Sequence, residues 1–105
     1  MTDLNERTER IRRLARITLD ATAERDWASL EQLANAVAAF DEFQQQSAAL
    51  GVLLASDYNE TWWTLETILA VLMESDDRAI SDRDRVSIEV AVGRLRAQVT
   101  SLSTA

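Results

Sequence analysis

Apolar residues recur along this chain at steps of three and four, in four runs separated by polar stretches. In the first run Leu4, Ile11, Leu14, Thr18 and Ala21 share one side, with Ala15 and Ile17 beside them. The second holds Leu30, Leu33, Ala34, Val37, Phe40, Phe43, Ser47, Leu50 and Leu54. The third holds Tyr58, Trp62, Leu65, Leu69 and Leu72, widened by Trp63, Ile68 and Val71. The spacing predicts four helices, over about 4–23, 26–55, 57–76 and 82–100, folded as one all-α antiparallel bundle. Start signals fit that division. Asp3 with Glu6, Asp57 with Glu60, and Ser81 with Asp84 have capping-box spacing, and Asp26 stands where an N-cap is needed. The second helix would be the longest, at about 45 Å, with Gly51 near its end as the one point of weakness.

The fourth run carries two conflicting signals. "VSIEVAV", residues 86–92, alternates apolar and polar and is rich in β-branched residues, as a strand would be. Ile88, Val92, Leu95, Val99 and Leu102 also fit a helix. The chain offers no second strand, and a lone strand cannot satisfy its ladder hydrogen bonds. The helix is therefore the expectation, with the last residues, "TSLSTA", fraying.

Composition narrows the picture further. The 105 residues contain no proline and two glycines, so helix breakers are nearly absent. A chain of this length suits a single domain and buries roughly two thirds of its unfolded surface. Cysteine is absent, which removes disulfides and thiolate metal sites and suits a reducing compartment. Histidine is absent too, and with it the commonest general base and transition-metal ligand. The net charge of -7 is uneven, because the basic residues gather near the two ends and the middle is strongly acidic. That middle argues against a nucleic-acid surface. The polar first residues do not read as a signal peptide, and "TLETILAVLM" is too short to span a bilayer. A soluble, cytoplasmic bacterial protein is expected.

Motifs for chemistry are missing. The chain contains no glycine-rich phosphate loop, no zinc-protease helix, no di-iron pairing and no calcium loop. Acid pairs such as Asp57 with Glu60, or Glu74 with Asp76 and Asp77, are better explained as caps and solvated helix ends. The expectation is a non-enzyme without cofactor or metal. The aromatic residues remain. Adjacent helical residues point about 100° apart, so Trp62 and Trp63 cannot both face one core. Trp62 lies on the main stripe and is assigned to the core, whereas Trp63 is expected to border a groove or an interface. Phe40 and Phe43 fit the core. Trp27 is expected to pack across the corner between the first two helices.

"LARITLDATAERDWASLEQL", residues 14–33, resembles the FliT family of flagellar export chaperones. Asp26, Trp27, Leu30 and Leu33 match the order of that family's Asp-Trp corner and the leucines opening its second helix. The match covers about a fifth of the chain. The Trp-Trp pair and the β-branched fourth segment are not features of the family. The resemblance implies a chaperone that shields the C-terminal segment of the filament-cap protein before export, with contacts to the export ATPase complex or a flagellar regulator. By position, it places partner binding at Phe40, Phe43, Leu50, Trp62, Trp63 and Leu69, with the fourth helix able to cover that surface. The functional expectation is thus a protein-binding module that receives an amphipathic helix of its partner. Two other readings remain open: a homodimeric structural or assembly protein, for example phage-related, and an acidic anti-regulator of a DNA-binding protein.

Overall fold

The computed structural model describes residues 2–23, 27, 29–75 and 79–103. Four helices follow in order, α1 (Thr2–Ala21), α2 (Leu30–Ala49), α3 (Ser56–Glu74) and α4 (Asp82–Ser103), and no strand occurs among the described residues. They form a closed ring in which α1 packs on α2 and α4, and α3 packs on the same two helices. Short connections make consecutive neighbours antiparallel. The strand-like stretch 86–92 is helical, as its three-four pattern requires.

The core is one cluster running through the middle of the ring. From α2 it takes Leu33, Ala36, Val37, Phe40 and Phe43, from α3 Tyr58, Leu65 and Leu72, and from α4 Ile88, Val92, Leu95 and Val99. Three of the four inner faces thus follow the expected stripes. In α1 Ile11, Ala15 and Thr18 are buried and Leu14 packs partly against the core, as expected, whereas Ile17 and Ala21 are exposed and Thr22, just past the helix end, is buried. Trp27, in the α1–α2 connection, is almost fully buried in the same cluster, as the sequence leads one to expect.

Helix ends depart from the expected bounds for local reasons. α2 starts at Leu30: Ser29 is the N-cap and forms a full capping box with Gln32. Asp26, the expected cap, lies outside the described residues. α2 stops at Ala49 and does not run to Ala55. Gly51 adopts φ 75°, its N–H donates to the Ala48 carbonyl at 3.0 Å, and the Val52 N–H donates to Ser47 at 2.9 Å. That pair of bonds is a Schellman closure, which needs a left-handed residue and is why glycine stands there. α3 begins at Ser56 after Ala55, which makes no side-chain cap bond, so Asp57 lies inside the helix and does not cap it. Asp57 instead accepts a bond from Gln98 of α4 at 3.1 Å. At the start of α4 the Ser81 hydroxyl accepts the Asp84 N–H at 3.2 Å, in keeping with the expected cap. That helix continues to Ser103 because Leu102 still packs against the core. In α1, Asp3 lies within the helix and does not precede it.

The helices are staggered. Trp62 bonds to Val37 and Tyr58 to Phe40, which sets α3 against the middle of α2. The Arg96 guanidinium donates to the Leu19 carbonyl at 2.6 Å and the Thr22 hydroxyl at 2.8 Å, so the last turn of α1 meets α4 well past its midpoint. A 20-residue helix is about 30 Å long, yet the molecule measures 54 × 21 × 19 Å. The stagger accounts for the difference. The N-terminal half of α1 projects at one end, and the adjoining ends of α3 and α4 project at the other.

Candidate functional site

The candidate surface lies on the outer face of α3 and α4. Tyr58, Leu65 and Leu72 turn the inner face of α3 to the core, which directs Trp63 nearly opposite, into solvent. Trp63 is 63% exposed and Val71 62%. On α4 the buried Ile88, Val92 and Leu95 likewise force Val86 and Val90 outward, where they are 60% and 51% exposed. Between the two helices lies an open groove of about 400 Å³. Glu60, Thr61 and Thr64 form its α3 wall and Val86, Ser87, Val90, Ala91 and Arg94 its α4 wall. The groove exists because small side chains face each other along this seam. Trp63 borders it through a second depression shared with Asn59, Glu60 and Thr64. The groove combines apolar side chains, hydroxyls from Thr61, Thr64 and Ser87 and one charge of each sign, with an exposed indole close by. Among the described residues no group of three acidic side chains is placed to hold a metal ion, and no helix is long and apolar enough to cross a membrane.

The six residues assigned to partner binding do not share a surface. Phe40 and Phe43 are sealed in the core. Their rings meet the Tyr58 ring at centroid distances of 6.5 and 6.1 Å, the first pair edge-on at 80°. The Tyr58 hydroxyl donates to the Phe40 carbonyl at 2.9 Å. Burial, and after it the Asp41 carboxylate, pushes the Tyr58 phenol well above its ordinary pKa. Trp62 is half-buried between α3 and α2, with its indole N–H donating to the Val37 carbonyl at 3.0 Å, and Leu69 packs partly against the core. Leu50 sits at the end of α2, in a shallow hollow of about 200 Å³ with Leu14 and Ile17 of α1. Of the six, Trp63 alone is widely exposed, which is where the sequence places it.

The exposed valines of α4 were not among the expected residues, yet their signal lies in the sequence. The alternation of 86–92 arises because this helix has two apolar faces: Val86 and Val90 point out while Ile88 and Val92 point in. Comparison with family models, with curated proteins and with solved structures finds no match for this chain.

Proposed function

We propose that this chain is a protein-binding helical module that receives an amphipathic segment of its partner on the α3–α4 face, in the manner of a small export chaperone. The observation that carries the reading is the solvent-directed Val86 and Val90 in an open groove, with the exposed Trp63 in the depression that adjoins it. Side chains of that kind on the outward side of surface helices mark contact sites. A tryptophan with freedom to pack is the residue type that most often anchors such contacts. The acidic middle of the chain favours a basic partner on encounter. α4 builds one wall of this groove and supplies Ile88, Leu95 and Val99 to the core.

The flagellar form of the proposal is tested by calorimetric titration with a synthetic peptide spanning the C-terminal segment of a filament-cap protein. The expected result is micromolar binding that Trp63→Ala weakens about tenfold or more, with the melting temperature unchanged. Absence of binding removes the flagellar partner. Binding that is indifferent to Trp63→Ala removes the α3–α4 face.

A further inference from the structure

α4 carries two apolar ridges on opposite sides. The inner ridge, Ile88, Val92, Leu95 and Val99, is buried in the bundle. The outer ridge is Val86, Val90, Gly93 and Ala97, all exposed. Both advance by four, three and four residues, the step that keeps a seam facing a second helix. The outward side of a bundle helix is ordinarily charged or polar, and none of these four residues is either. Nothing lies within 4 Å of the position a Gly93 Cβ would take, so another backbone has room to approach there. Charges stand beside the ridge and not on it: Glu89 on the side toward α1 and Arg94 on the side toward α3, both exposed.

We infer that this ridge is the contact surface of a homodimer, with α4 of a second copy lying antiparallel across it on a two-fold axis between Val90 and Gly93. Two features select that occupant and direction. In the antiparallel register Val86 faces Ala97 of the second copy and Val90 faces its Gly93. Every layer then sets a large side chain against a small one, and the helices hold an even separation. A parallel pair would stack valine on valine and glycine on glycine, and would put Arg83 against itself at the end of the seam. The second feature is charge. The antiparallel register brings Glu89 beside Arg96 of the second copy, twice by symmetry, and Ser87 beside its Arg94. One Arg96 nitrogen is bonded to the end of α1, and a guanidinium carries five N–H donors in all. A single helical ridge falls at the low end of interface sizes, below about 1,200 Å² in total, so the dimer is reversible and forms at micromolar concentrations. Because Val86 and Val90 also line the groove, the second copy covers it, and self-association competes with partner binding.

Sedimentation equilibrium of the full chain, alone and over a wide concentration range, tests the dimer without reference to any partner. The expected mass rises from the 11.8 kDa monomer toward twice that value. Val90→Glu should raise the dissociation constant about tenfold or more, because each copy would then bury an unpaired carboxylate. The absence of native cysteine makes the geometry directly readable. Under mild oxidation an equimolar mixture of Val86→Cys and Ala97→Cys should give the mixed disulfide dimer, while Val86→Cys alone stays uncrosslinked. A monomer at every concentration, association unaffected by Val90→Glu, or rapid crosslinking of Val86→Cys with itself would each overturn the proposal. Trp63→Ala, which lies off the ridge, should leave the dimer intact, so failure of the partner reading and failure of this one are told apart.

Discussion

The chain has no histidine and no cysteine, its one phenol is Tyr58, and every basic side chain is arginine. Between about pH 8 and about pH 12, Tyr58 is therefore the one side chain that titrates. In the fold that phenol is buried and donates to the Phe40 carbonyl at 2.9 Å. Its pKa is raised from the ordinary 10.0, by desolvation first and the Asp41 charge second. The sign follows directly. As pH rises past 10 the unfolded chain loses its phenolic proton while the folded chain keeps it, so the folded state binds more protons and stability falls. The loss is about 1.4 kcal/mol per pH unit above pH 10, or about 2 kcal/mol by pH 11.5. Tyr58→Phe removes the titration and also removes one buried hydrogen bond, which costs about 0.5–1.5 kcal/mol. The variant should be the less stable protein at neutral pH and the more stable one above about pH 11. Urea unfolding followed by circular dichroism, repeated from neutral to alkaline pH, measures both curves. Curves that stay parallel throughout, or a native phenol that titrates near its ordinary value by ultraviolet absorbance, would refute the reasoning.

Two further outcomes follow from burial and backbone geometry. Trp27→Ala empties a site in the core cluster and should cost about 3–5 kcal/mol, seen as a large drop in the urea midpoint; a near-neutral shift would mean that Trp27 does not pack there. Gly51→Ala forces a Cβ onto a residue at φ 75° and should cost about 1 kcal/mol, whereas the same change at the helical, open Gly93 should stabilise by a few tenths of a kcal/mol or more; thermal melts compare the two.

Much of the fold is legible in the sequence because each helix of a bundle shows one stripe to one core. Phe40, Leu65 and Ile88 lie where the three-four spacing puts them. The ends are less legible. Asp26 and Ser29 are both good capping residues three positions apart, and the bond to Gln32 that marks the choice depends on backbone geometry. Gly51 reads as a weak point in a long helix, yet the Schellman closure makes it a stop. The surface was harder still. Phe40 and Phe43 look like binding residues by position, but their orientation depends on how α2 rotates toward Tyr58. The outward valines of α4 were hidden inside a strand-like alternation, because periodicity alone does not say which of two apolar faces meets the core.

The bond from Arg96 to Leu19 joins residues 77 positions apart, and it bears on the order of assembly. The α1–α2, α2–α3 and α3–α4 hairpins all close short loops, whereas docking α1 onto α4 encloses most of the chain. Loop entropy makes that closure the most expensive in lost freedom, and such contacts form late. The α1–α4 seam is therefore the last to close, after the three sequential hairpins, and the one that opens first when the native state fluctuates. Amide hydrogen exchange should be fastest, among the buried helical segments, where α1 and α4 face each other.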